Sequence, residues 1–141
     1  MTYAKQIDNK QVVEFRVRYS ETDQMGGIYN ARVLEWFEVG RSEWFRGKGL
    51  AYTEVENRGI FLPLVEAHVE YKGHAEYDDL LKMTVTGCIA GKVRLRCDHE
   101  IVHVDSGKPV AHGYTVHACL NEDGKPVRPP KWLLEIVESS M

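Results

Sequence analysis

Cysteine is scarce: Cys88, Cys97 and Cys119 are the only three in 141 residues, and none forms a CxxC pair. That excludes a disulfide framework and the usual closed zinc motifs. All three sit in apolar or alternating segments, which reads as buried free thiols in a reducing compartment. No basic run exists either. The 18 Lys and Arg are scattered against 21 Asp and Glu, for a net charge of −3 with His neutral. Without a concentrated basic face, nucleic acid is not expected as the main partner. Long apolar runs are missing too. The longest, Gly59 to Val65, is far too short to span a bilayer, and Met1 to Lys10 lacks the apolar stretch of a secretory signal. The expectation is a cytoplasmic protein with no membrane span. Repeats, low-complexity tracts and linker-like segments are also absent.

What is present is core material. The hydrophobic fraction is 43%, with three Trp, seven Tyr and four Phe. A domain of this size buries roughly two-thirds of its unfolded surface and folds without staples. One domain over residues 1–141 is expected.

The chain alternates clearly. Val13, Phe15, Val17 and Tyr19 interleave with Glu14, Arg16, Arg18 and Ser20, the period-two signature of a half-buried strand. Ala31 to Arg46 contains no Pro and a single Gly, with Leu34, Phe37 and Arg41 at helical spacing and Val33 and Trp44 nearby. Asn30 reads as its N-cap, and Gly47 and Gly49 as its stop. Strands follow over Ile60 to Tyr71, Leu80 to Ile89, Val93 to Val104 and Val110 to Leu120. Tight turns at Ala90-Gly91-Lys92 and Asp105-Ser106-Gly107-Lys108 join the last three. A short apolar turn, Trp132 to Val137, closes the chain. This order predicts an α+β fold: an antiparallel sheet of about five strands wrapped around one long central helix. The other face of the sheet stays partly open, which predicts a homo-oligomer.

The stretch that carries chemistry is Tyr19-Ser20-Glu21-Thr22-Asp23-Gln24-Met25-Gly26-Gly27-Ile28-Tyr29-Asn30. Asp23 sits on a glycine-bearing loop that feeds a helix N-terminus. A carboxylate there can attack a carbonyl or activate water. Gly26 and Gly27 let a substrate approach the backbone. The first helical turn offers free N–H groups and a positive dipole end that would stabilise a developing oxyanion. Spacing alone fits plain turn and capping chemistry equally well.

The segment from Phe15 to Arg41 closely resembles the 4-hydroxybenzoyl-CoA thioesterase-like family of hot-dog acyl-CoA thioesterases. The shared motif has the form Tyr…Thr-Asp…Gly…Tyr-(His or Asn)-Ala, followed by a helix rich in Trp, Phe and Glu. Val65 to Tyr71 with Asp79-Leu80, and Gly124 to Arg128 with Pro130, are similar to later family segments. The resemblance implies a hot-dog fold and hydrolysis of an acyl-CoA to a carboxylic acid and free CoA. CoA is then part of the substrate, no metal or redox cofactor is needed, and sites lie at subunit interfaces of a dimer or tetramer. It places the catalytic aspartate on Asp23, the carbonyl-binding backbone N–H at Asn30 and the glycines on Gly26 and Gly27. Tyr29, Glu38 and Arg41 match family positions, with Tyr29 and Glu38 as substrate-binding candidates. Lys92 and Arg94 fall where the family holds the nucleotide end of CoA, with Arg128 a weaker third. Two departures stand out: Asn30 where many members carry His, and Tyr71-Lys72-Gly73-His74-Ala75 where the usual form is Arg-Pro-Ala.

Other features read as packing. Cys97, His99 and His103 share one strand parity beside Leu95 and Ile101, which suits a hydrogen-bonded core edge better than a metal site. His68, between Glu66 and Glu70, reads as a surface or interface residue. Trp36, Phe37, Trp44 and Phe45 read as core. Two alternatives to hydrolysis stay open. An acyl-thioester hydratase or dehydratase needs an Asp–His pair, and no His follows Asp23 before His68. A non-catalytic acyl-CoA binding protein gains little from a carboxylate beside a thioester. The acyl group, CoA against acyl carrier protein, and the role of Asp23 as nucleophile or general base also stay open.

Overall fold

The structure, a computed structural model, describes residues 3–7 and 9–138, with side chains from residue 9 onward. Among the described residues, six strands form one antiparallel sheet: β1 (Tyr3–Ile7), β2 (Lys10–Arg16), β3 (Leu64–Tyr71), β4 (Leu80–Ala90), β5 (Arg94–His103) and β6 (Pro109–His117). Their order across the sheet is β1-β2-β4-β5-β6-β3. The α-helices among the described residues are α1 (Arg32–Gly47), α2 (Tyr52–Asn57) and α3 (Lys131–Glu138).

The β4–β5 and β5–β6 hairpins follow from the turn residues, with Ala90 opposite Arg94 and Val102 opposite Pro109. β1 and α2 carry too weak a periodicity to be read from sequence, so the sheet has one strand more than expected. β2 ends at Arg16, earlier than the alternation implies. Tyr19, expected inward, lies 77% exposed on a 3₁₀ turn spanning Tyr19–Glu21. The helix face also differs in detail. Val33, Trp36, Phe37, Gly40, Trp44 and Phe45 are buried, whereas Leu34 points to solvent. This stripe still follows the i, i+3, i+4, i+7 rule, rotated by one position.

α1 rests on the sheet through two close approaches. A β-carbon on Gly40 would come within 2.7 Å of a Val85 methyl, and one on Gly87 within 2.6 Å of the Trp44 ring. Only glycine fits at either point. The Trp44 indole N–H then donates to the Asn9 carbonyl at 3.2 Å, fixing the C-terminal end of α1 over the β1–β2 turn. Cys97 and Cys119 are buried as expected, but Cys88 is exposed, because its parity in β4 faces away from α1.

β3 is different in kind. It pairs only with β6, so its other edge is unpaired by any described strand. Leu64, Val65 and Tyr71 on it are about half exposed. No helix among the described residues is long and apolar enough to cross a membrane.

Candidate active site

The Asp23 segment is a small hairpin laid across one end of the sheet. Tyr29 N–H donates to the Glu21 carbonyl at 2.8 Å and Asp23 N–H to the Gly27 carbonyl at 2.9 Å, bracketing the bridge between Thr22 and Ile28. Asp23 therefore stands opposite Gly27. Its side chain is exposed, and Oδ1 accepts the Met25 amide at 2.9 Å. Gly26 closes the turn with φ of +86° in open space, so its role is backbone conformation.

Gly27 serves another purpose. It is buried, and a β-carbon there would fall 2.5 Å from Cε1 and 2.9 Å from Nδ1 of His74. The close neighbour of this glycine is thus an imidazole from the connection between β3 and β4. That connection is tied down on both sides. Ile28 N–H donates to the Ala75 carbonyl at 3.0 Å, and His103 Nε2–H to the His74 carbonyl at 2.8 Å.

Beneath the hairpin lies Glu21, a residue the sequence did not single out. It is 4% exposed and accepts the Trp36 indole N–H at 2.8 Å and the Arg18 amide at 2.7 Å. Those donors hold a buried carboxylate two residues from Asp23 and join the loop to α1. Beside it opens a cavity of about 290 Å³, lined by Phe15, Trp36, Val39 and Met83, with Arg16, Arg18 and Glu21 at its polar side.

Asn30 does not cap the helix. The N-cap is Ala31, and no side chain makes a cap bond there. Asn30 instead sits in the preceding turn, its carbonyl accepting the Tyr71 hydroxyl at 2.8 Å and the Val33 amide at 3.3 Å. The amides of Asn30 and Ala31 meet no acceptor among the described residues. Two N–H groups at the positive end of α1 are therefore available to a ligand.

The structure gathers Asp23, Gly26, Gly27, Tyr29 and Asn30 in this one hairpin. Glu38 lies elsewhere in the chain, on the solvent face of α1 in a shallow groove with Glu35, Ser42 and Arg46. Lys92 and Arg94 are exposed at the β4–β5 turn. β4 begins beside the Asp23 end, where Val17 N–H meets the Asp79 carbonyl. Eleven residues of β4 put Lys92 roughly 33 Å away along the strand.

Under α1, His99 stacks on Phe37 at 4.1 Å and donates Nε2–H to the Phe37 carbonyl. His117 donates Nδ1–H to the Leu62 carbonyl at 3.0 Å and accepts the Thr115 hydroxyl. Burial, helped by the Arg41 guanidinium, pushes His99 down to about 3 and His117 to about 4. Both are neutral structural groups. Cys97 and His99 are core, as expected, and burial pushes the Cys97 thiol up to about 12. No group of three His, Cys, Asp or Glu among the described residues is arranged to hold a metal.

The chain matches known proteins over nearly its whole length. Residues 17–137 match the family model described as the thioesterase-like superfamily. The 1,4-dihydroxy-2-naphthoyl-CoA hydrolase of Synechocystis sp. (strain ATCC 27184 / PCC 6803 / Kazusa) is 29% identical over 128 residues, 89% of this chain and 93% of that protein. A Bacillus subtilis (strain 168) protein, YneP, is 41% identical over 66 residues, spanning 47% of this chain and 48% of that protein. The crystal structure of the DHNA-CoA thioesterase from Staphylococcus aureus superposes with a TM-score of 0.78 at 32% identity, covering 84% of this chain and 80% of that one. With a hot-dog sheet, an aspartate hairpin at a helix N-terminus and a family match over residues 17–137, this chain belongs to the thioesterase-like superfamily.

Proposed function

We propose that the chain hydrolyses an acyl-CoA thioester, with Asp23 as the reacting carboxylate and the amides at Asn30 and Ala31 holding the thioester oxygen. The observation that carries this reading is the hairpin itself. It sets an exposed carboxylate opposite Gly27 and, a few residues on, leaves two N–H groups without acceptors at the positive end of α1. Such donors act where charge develops, so they favour the tetrahedral intermediate over the planar thioester. Asp23 then either attacks the carbonyl carbon, expelling the thiolate and forming a mixed anhydride that water opens, or takes a proton from the attacking water. The 290 Å³ cavity beside Glu21 and Trp36 suits the apolar end of a small acyl group.

A homo-oligomer fits the same reading. Among the described strands β3 has one unpaired edge with exposed apolar residues, and such edges pair with another chain unless blocked. Lys92 and Arg94, remote from Asp23 in one protomer, would then meet the CoA phosphates from a neighbouring one.

Free-thiol release from a panel of acyl-CoAs tests the proposal, run with wild type and Asp23→Asn. Asn retains the oxygen that accepts the Met25 amide, so the variant keeps its fold. Its turnover should fall at least about 100-fold. A folded Asp23→Asn protein with wild-type turnover would end the assignment. Hydration or dehydration of an acyl thioester is a second reading, because the structure does bring a histidine, His74, onto the Asp23 hairpin. Loss of enoyl-thioester absorbance without thiol release would favour it.

A further inference from the structure

We propose that His74 is the proton-transfer partner of Asp23, oriented for that task by Glu76. The inference rests on the thioesterase reading for its chemistry, but the pairing itself rests on geometry.

Asp23 and Gly27 stand opposite each other in the hairpin, joined by the 2.9 Å bond from the Asp23 amide to the Gly27 carbonyl. Opposed residues in an antiparallel pair place their β-carbons on the same face, roughly 5 Å apart. Gly27 has no β-carbon. The space where it would lie is taken by the His74 ring, with Cε1 at 2.5 Å and Nδ1 at 2.9 Å from that point. The imidazole therefore occupies the side-chain position facing Asp23 across the hairpin. The sequence signal for this was the Gly73-His74-Ala75 departure, together with Asn30 where relatives often carry His. This chain brings an imidazole to the loop from a different segment.

The ring is also oriented. Nε2 lies 3.2 Å from Glu76 Oε1, and the backbone of Glu76 is fixed where its N–H donates to Asp79 Oδ2 at 2.8 Å. Donation from Nε2–H to the carboxylate leaves Nδ1 as the lone-pair nitrogen, on the ring edge, Cε1–Nδ1, that packs against Gly27. A base whose far nitrogen is fixed by a carboxylate is the arrangement that general-base histidines need. The other charged or titratable groups near His74 are Lys72, His103 and Lys108, which share a shallow groove with it.

The step balances simply. Asp23 attacks the acyl carbon, and the C–S bond breaks with its electron pair on sulfur, leaving the mixed anhydride. A water then adds its oxygen to the acyl carbon, its proton goes to His74 Nδ1, and the acyl–oxygen bond to Asp23 breaks with its pair on the carboxylate. The imidazolium returns its proton to the CoA thiolate, giving the thiol and regenerating neutral His74.

Two measurements decide this. The first is the nitrogen NMR spectrum of the His74 ring in wild type and Asp23→Asn at fixed pH, which does not depend on turnover. Removing a facing carboxylate should shift the His74 ring resonances. Unmoved resonances overturn the pairing. The second is the pH profile of thiol release by His74→Gln and His74→Ala. The rate should fall roughly 100-fold and the acidic limb should disappear, with partial recovery of His74→Ala by added imidazole. Active wild type with a His74→Gln variant that keeps both rate and limb overturns the catalytic role. An inert wild type whose His74 ring resonances still respond to Asp23→Asn supports the pairing and sinks the hydrolase reading instead.

Discussion

Acidification from pH 7 to pH 5 should weaken this fold through two buried imidazoles. His99 is 3% exposed and His117 2%, and their folded pKa values of about 3 and about 4 compare with an ordinary 6.5. Below pH 6.5 the unfolded chain protonates these rings while the folded chain does not. The unfolded state then binds more protons, so stability falls as pH falls, until the folded pKa values are reached. At pH 5 each histidine contributes about 2 kcal/mol of this loss relative to pH 7, or about 3–4 kcal/mol together. For a chain of this length that is roughly 10 °C in Tm. The window avoids the one carboxylate among the described residues with a clear shift. Glu70 is held below its usual 4.5 mainly by Lys72, so it titrates at lower pH. Urea melts at pH 7, 6 and 5, at fixed protein concentration because assembly couples to stability, would give the slope directly. His99→Phe should keep the ring stack on Phe37 and lose about half the pH dependence. Stability that is flat to within about 1 kcal/mol over this range, or an unchanged slope in His99→Phe, would refute the reasoning.

Three further outcomes follow from the site. Glu21→Gln keeps one oxygen and puts an N–H₂ group against one of the two donors, Arg18 N–H or Trp36 Nε1–H, that now find separate oxygens, and should cost about 2–3 kcal/mol in urea melts; adding Trp36→Phe should recover part of it in a double-mutant cycle. Gly27→Ala should cost about 1–3 kcal/mol by colliding with the His74 ring, and His74→Ala should rescue it; Gly26→Ala should cost about 1 kcal/mol through its left-handed backbone, with no rescue by His74→Ala, as calorimetry of the four variants would read. Lys92→Gln and Arg94→Gln should each raise KM for acyl-CoA about threefold and flatten its salt dependence, while leaving KM unchanged for a thioester truncated at pantetheine, which lacks the nucleotide phosphates.

Much of the architecture was legible in the amino-acid order because local rules and burial agree there. The alternation at Leu81, Met83 and Val85, the run from Val33 to Phe45, and the turns at Gly91 and Gly107 each have one low-energy solution, and β4, β5, β6 and α1 follow from them. Asp23, Gly26, Gly27, Tyr29 and Asn30 are contiguous, so their grouping was legible as well. What tertiary structure alone decided is everything that depends on contacts distant in sequence. Strand order decided that β3 pairs with β6, with apolar Val65 and Tyr71 left half exposed. Long-range packing brought Glu21 to Trp36 and His99 to Phe37, pairs that no periodicity announces. It also explained Gly27. A glycine in a sequence signals that something comes close but not what, because that neighbour is set by the path of the β3–β4 connection; here it is the imidazole of His74.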